Sequence, residues 1–260
     1  MMKNLLRRNL LFITIFAIIT TCCFSSPFNF IRDTTLLGSN RLGTNIVSYP
    51  NVNYPKLLEG QKAQSINYVE KYSQKNHDFL EELYNKGKNF FPAISSVFTK
   101  YGLPTELKVL IAIESGFKSN AVSKAGAVGY WQMMDEMAID YGLKIGKADE
   151  RKNLKKSTTA AAKFLKNQCN DFDNDILLAV AAYNCGGGNV RKAMRKSGVE
   201  NASFWDIKKY LPKETRLYVM NFITLNVIFD NYDKFTNNQL VFKPIAINTT
   251  VTPVPAPLVN

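Results

Sequence analysis

Glu114 closes the apolar run Val109-Leu110-Ile111-Ala112-Ile113 and falls in the last turn of an expected helix. Apolar neighbours penalise a charged carboxylate, and so does the negative end of a helix. Both effects raise its pKa, which is what a general acid working near neutral pH needs. A single glutamate at a helix end is ordinary when taken alone, but three further segments give it company. Residues 123–134 read SKAGAVGYWQMM. There Gly126 and Gly129 suit a turn whose backbone approaches a ligand closely, and Trp131 and Gln132 offer a stacking surface and an amide donor. Ala182-Tyr183-Asn184-Cys185-Gly186 ends an apolar helix with a phenol and an amide. Leu211 to Val219 then brings Glu214 and Tyr218.

Helices must bring these segments together, and the apolar spacing supplies them. Ala63, Ile66, Val69 and Tyr72 fall three apart, and Phe79, Leu83, Phe90 and Phe91 continue an apolar face. Pro92 opens a helix with Ile94, Val97, Phe98 and Tyr101 on one side, and Gly102 ends it. The next helix runs from about Pro104 to Ser115, with Glu106 at its positive end. Ser157 or Thr158 caps a helix that reaches Cys169, residues 170–174 turn, and Asp175 starts the apolar stretch ILLAVAAYN, which stops at Gly186. Asn189 starts another helix, and Pro212 with Glu214 opens the last. Cys169 and Cys185 then lie at opposite ends of two antiparallel helices, too far apart for a disulfide. Nothing alternates with a strand period, so the expected fold class is mainly α.

The ends have a different character. Lys3, Arg7 and Arg8 precede an almost unbroken apolar stretch, Leu10 to Phe24, followed by small residues. That is the pattern of a secretory signal, too short to span a bilayer. Cys22 and Cys23 stand where a lipid-modified cysteine would sit and so offer a membrane attachment, although Thr21 is bulkier than the residue that usually precedes one. The expected organisation is a signal at 1–25, a flexible tether at 26–60, an N-terminal helical segment at 61–101, a catalytic domain at 102–232 and a flexible, Pro-rich tail at 233–260. Losing the signal's three cations lowers the net charge from +12 to +9, which favours an anionic partner. Export argues against nucleic acid and favours anionic lipid or cell-wall polymer. The one histidine, His77, lies in a polar helical stretch and is expected at the surface. No Cys and His group has metal-ligand spacing, so no metal and no organic cofactor are expected.

Glu114-Ser115, Gly126 to Gln132, Ala182 to Gly186 and Glu214 to Val219, in this order, resemble the catalytic domain of lytic murein transglycosylases, above all the membrane-bound type D branch. The likeness covers about residues 102–231, half the chain. It implies a lysozyme-like α fold of the goose type, with an N-terminal helical extension, and a substrate of alternating N-acetylglucosamine and N-acetylmuramic acid in peptidoglycan strands. Glu114 matches the family's single catalytic acid/base. Ser115, Ser123, Gln132, Met134, Tyr183, Asn184, Glu214 and Tyr218 match positions along its glycan groove. Two departures stand out. Asp135-Glu136 occupies the place where the family usually has proline, and either caps the next helix or puts a second carboxylate near the groove. The C-terminal tail lacks the wall-binding repeats common in type D relatives.

A hydrolysing glycosidase normally uses two carboxylates, and the resemblance supplies one. It implies that Glu114 protonates the bridging oxygen and then takes the proton of the muramyl 6-hydroxyl, which closes on C1 to a 1,6-anhydro product. Positioning then stands in for the second acid. The alternatives are a water-using muramidase with Asp135 or Glu136 as base, and a non-catalytic peptidoglycan-binding protein. An acid kept in an apolar setting argues against a pure binder. Export implies a periplasmic or cell-envelope location, and the oligomeric state is open.

Overall fold

Residues 46–247 are described in the computed structural model of the chain. The three-apart apolar spacing near the start becomes α1 (Lys62–Lys75), α2 (His77–Gly87) and α3 (Phe91–Lys100). A turn of 3-10 helix at Thr105–Val109 leads into α4 (Leu110–Ser115), and α5 (Asp135–Asp140) follows an irregular loop. Then come α6 (Leu154–Asp171), α7 (Ile176–Cys185), α8 (Gly187–Ser197), the short α9 (Phe204–Ile207), α10 (Lys213–Asp230) and α11 (Tyr232–Thr236). The mainly α class is as expected.

Two compact units share the described residues. Residues 53–239 hold every helix. The other unit, over residues 46–52 and 240–247, carries β1 (Ile46–Ser48) antiparallel to β2 (Ile245–Ile247), with Ile46 opposite Ile247. Strands of three residues are too short to show a period, which is why the sequence does not announce them.

In the helical unit, α7 is buried at every position from Ile176 to Asn184. A helix apolar all round belongs at the centre of a fold. It packs against α6, α8 and α10, while α10 also packs on α1 and α4. Burying a Leu, Ile or Val fully contributes about 1.5–3 kcal/mol, so Leu177, Leu178 and Val180 hold α7 firmly against its neighbours. The end of α7 therefore meets the start of α10 at a fixed place, where Thr215 Oγ1 donates to Asn184 Oδ1 at 2.7 Å.

Several boundaries depart from the sequence reading. Asn153 caps α6, its side chain accepting the Lys156 amide at 3.0 Å, while Ser157 and Thr158 are buried inside the helix. Asp175 caps α7 as expected, accepting the Leu178 amide at 3.0 Å. The tether expected through residue 60 gives way earlier: Tyr54 and Leu58 are buried, Lys56–Gln61 is a 3-10 turn, and the Asn231 side chain bonds both backbone groups of Asn53. The tail expected from residue 233 begins as α11, anchored by buried Phe235. Phe235 also covers His77, whose ring stacks on it at 4.3 Å with Nε2 3.2 Å from the Phe235 carbonyl oxygen, so His77 is half-buried rather than exposed. Cys169 and Cys185 are unpaired, as their helix ends require. The signal, Cys22, Cys23, residues 26–45 of the tether and residues 248–260 of the tail lie outside the described residues.

Candidate active site

Leu107, Val109, Leu110, Ile111 and Ala112 are all buried, and this pins the 3-10 turn and α4 against the core. The helix ends just beyond Glu114 because Gly116 turns left-handed, at φ 56, and returns its amide to the Ala112 carbonyl at 3.0 Å. Glu114 is half-buried at this end. The Tyr218 hydroxyl donates to its Oε1 at 2.5 Å.

Burial raises the Glu114 pKa from the ordinary 4.5 to about 8; the Tyr218 hydrogen bond opposes the rise and the Glu214 carboxylate adds to it. Tyr183 and Tyr218 are held well above the usual phenol value, first by burial and then by the Glu114 charge. Both phenols therefore stay protonated and act as donors. Tyr183 donates to the Trp131 carbonyl at 2.8 Å, with its ring edge-on to Phe164 at 5.4 Å.

The residues expected at the site fall into two groups. Glu114, Tyr183, Glu214 and Tyr218 act on one another through charge or hydrogen bonds. The others spend their polar groups on the chain around them. Ser115 Oγ donates to the Tyr130 carbonyl at 2.8 Å, and Ser123 Oγ accepts the Ala127 amide at 2.9 Å. Gln132 Nε2 donates to the carbonyls of Ala121 at 3.1 Å and Gly129 at 2.9 Å. Asn184 is occupied by Thr215, and Met134 is the half-buried residue that precedes α5.

Residues 94–205 match the transglycosylase SLT domain.

The chain is also 34% identical over 164 residues to membrane-bound lytic murein transglycosylase D of Escherichia coli strain K12, covering 62% of this chain and 36% of that protein. It thus spans about a third of that relative's length. Among solved structures, the lytic transglycosylase Slt of Pseudomonas aeruginosa, an inactive mutant, is 24% identical with a TM-score of 0.47, over 58% of this chain and 24% of that one. The 70 kDa soluble lytic transglycosylase of E. coli is 19% identical with a TM-score of 0.48, over 70% of this chain and 32% of that one. The resemblance read from the motifs is therefore met by the comparisons. The SLT match stops at residue 205, yet α10 completes the site beyond it, through Tyr218 on Glu114 and Thr215 on Asn184.

Within the SLT segment, two expectations need correction. Trp131 is no stacking surface: it is fully buried, its Nε1 donates to Thr158 Oγ1 at 3.0 Å, and its ring lies 5.6 Å from Phe98. Gly129 serves a close approach, but to the chain itself. It sits at φ 83, and a Cβ there would stand 2.2 Å from the Arg151 carbonyl oxygen. Gln132, at φ 46, is held in the left-handed region by its own two side-chain hydrogen bonds.

Arg151 is the residue the sequence reading missed. It is buried, pairs with Asp149, donates to the Met133 carbonyl at 3.1 Å and reaches Asp135 Oδ1 at 2.5 Å. It braces the 129–135 loop from behind, and its partners at positions 133 and 135 lie too far along the chain to leave a local signal. Asp135 is thereby engaged in an ion pair, in the first turn of α5. Among the described residues, no group of three or more His, Cys, Asp or Glu is placed to hold a metal.

Proposed function

We propose that this chain is a lytic transglycosylase that cleaves the β-1,4 bond between N-acetylmuramic acid and N-acetylglucosamine in peptidoglycan, with Glu114 as acid and then base. The observation that carries the reading is the state of Glu114: one carboxyl group, held protonated near neutral pH by burial and fixed by the Tyr218 hydroxyl. Tyr218 occupies Oε1, so the acid proton belongs on Oε2. Glu114 gives that proton to the bridging oxygen as the bond to C1 breaks. The carboxylate left behind is poorly solvated and therefore a stronger base than a free one. It takes the proton of the muramyl 6-hydroxyl as that oxygen bonds to C1. The net transfer runs from O6 to the leaving oxygen, and no water is consumed. The intramolecular attack supplies the orientation that a second carboxylate would otherwise have to provide.

Tyr183, Asn184, Glu214 and Tyr218 form one wall of the glycan groove in this reading, and Ser115, Ser123, Gln132 and Met134 shape the other. Asp135, tied to Arg151, is poorly suited to be the base of a water-using muramidase. A cell-envelope location follows from the apolar start of the sequence and from the relative's membrane-bound name. Attachment would run through lipid on Cys22 or Cys23. No helix among the described residues is long and apolar enough to cross a membrane. The partner is the glycan strand, with no nucleic acid and no cofactor.

Mass spectrometry of digested peptidoglycan tests the reaction. Anhydromuramyl ends, each lighter by one water, are expected. New reducing ends as the main product would replace the reading with a muramidase, and an intact, folded protein that cleaves nothing would replace it with a binder.

A further inference from the structure

Arg216 follows Glu214 by two residues on α10, about 200° round the helix. It therefore points away from the side on which Glu214 and Tyr218 address Glu114. Met220, one turn further, shares the Arg216 side, and its Sδ lies 3.3 Å from Lys208 Nζ. On this side is a cavity of about 530 Å3, lined by Trp205, Lys208, Lys209, Tyr210 and Arg216 together with Asp206 and the end of α8.

The charge in this cavity is unbalanced. Three cations face one acid, and Asp206 is already engaged, its Oδ2 accepting the Ser203 amide at 2.9 Å and hydroxyl at 2.6 Å. Lys208 lies over the Trp205 ring at 4.7 Å from its centroid, and Lys209 over Tyr210 at 4.9 Å. Burial, then the Arg216 charge, holds the Lys208 ammonium below its usual range. The Arg216 Nε is buried and has no hydrogen-bond partner. Crowded like charges and an unmet buried donor both cost free energy. An oxyanion seated between Lys208 and Arg216 relieves the crowding of like charge, and the planar N–H donors of a guanidinium fit a carboxylate or phosphate. The Trp205 and Tyr210 rings are suited to an apolar or flat body attached to that anion.

We propose that this cavity is a second binding site, separate from Glu114, for a ligand that carries a carboxylate or phosphate group on an apolar body.

Trp205 reports on the site, because the chain has two tryptophans and the other, Trp131, is fully buried. The full chain is titrated with inorganic phosphate, phenyl phosphate and N-acetylalanine while its fluorescence is followed. Phenyl phosphate or N-acetylalanine should give a saturable change, and which of them binds more tightly separates a phosphate ligand from a carboxylate one. Binding should weaken as salt rises and persist unchanged in Glu114→Gln. It should fall at least about tenfold in Arg216→Gln and in Lys208→Gln, with Arg216→Lys between, since lysine keeps the charge and loses the fork. Trp205→Phe should remove the signal. Circular dichroism checks that each variant folds; should the Arg216 variants fail, the exposed Lys209→Gln still must weaken binding. No saturable change with any of the three probes overturns the proposal. So does binding that neither Arg216→Gln nor Lys208→Gln diminishes.

Discussion

The two faces of the first turns of α10 carry charge under the same pressure and with opposite sign. On one face, burial and the Glu214 carboxylate both disfavour the charged form of Glu114. On the other, burial and the Arg216 guanidinium both disfavour the charged form of Lys208. The two differ in what relieves them. Glu114 has a neutral donor, the Tyr218 hydroxyl, which accommodates either protonation state. Arg216 has a buried Nε with no acceptor. A group relieved by a neutral partner can gain and lose a proton, which acid/base work requires. A cluster dominated by a fixed charge gains most from an anion. In the proposed reading, one helix separates a site for proton transfer from a site for binding.

The largest effect expected on the first face is from Glu114→Gln. It should lower glycan cleavage by at least about a thousandfold, equivalent to about 4 kcal/mol of barrier, while circular dichroism stays that of the parent. Turnover within tenfold of the parent would remove Glu114 from the acid role. Gly129→Ala acts on the scaffold alone. A Cβ placed 2.2 Å from the Arg151 carbonyl oxygen, at a positive φ, should cost about 2–4 kcal/mol in denaturant unfolding. Unchanged stability there would mean that the loop is held less tightly than the packing shows.

Electrostatic changes sharpen the contrast further. Tyr218→Phe removes the bond that lowers the Glu114 pKa, so the alkaline limb of activity should move to higher pH while turnover falls about 10–100-fold. Glu214→Gln removes a charge that raises it, so that limb should move down, by a smaller amount. Shifts in the same direction for both variants would contradict the assigned causes.

The smallest effect is on stability. Below about pH 4.5 Glu114 is protonated whether folded or not, and it then costs folding nothing. Between 4.5 and about 8 the unfolded carboxyl ionises while the folded one resists, so stability is lost across that window as pH rises. Glu114→Gln removes this slope, and its gain in Tm over the parent should grow from about pH 5 to pH 8. A gain that shrinks over this range would reverse the sign of the argument.

How much of this the sequence reveals depends on how local each signal is. Glu114 is legible because it directly follows its apolar run, and Glu214 with Tyr218 because both lie in one short segment, Leu211 to Val219. The helices are legible from apolar spacing, down to Asp175 as the cap of α7. Trp131 is misread because nothing beside it marks burial; what encloses it comes from Phe98 in α3 and Thr158 in α6. Gln132 looks like a ligand donor and instead holds its own loop closed. Arg151 resembles any other cation in a Lys-rich stretch until the fold sets it behind the 129–135 loop. The β1–β2 pair depends on residues about 200 positions apart, a separation no local pattern bridges.

The central claim is that the half-buried Glu114 carboxyl group stays protonated near neutral pH. Carbon-13 NMR of the glutamate side-chain carboxyls, with the Glu114 signal assigned by its loss in Glu114→Gln, measures this directly. The expected titration midpoint is about 8, lower in Glu214→Gln and higher in Tyr218→Phe. A midpoint near the ordinary 4.5 would contradict the account, because Glu114 would then be ionised at neutral pH with no proton to give.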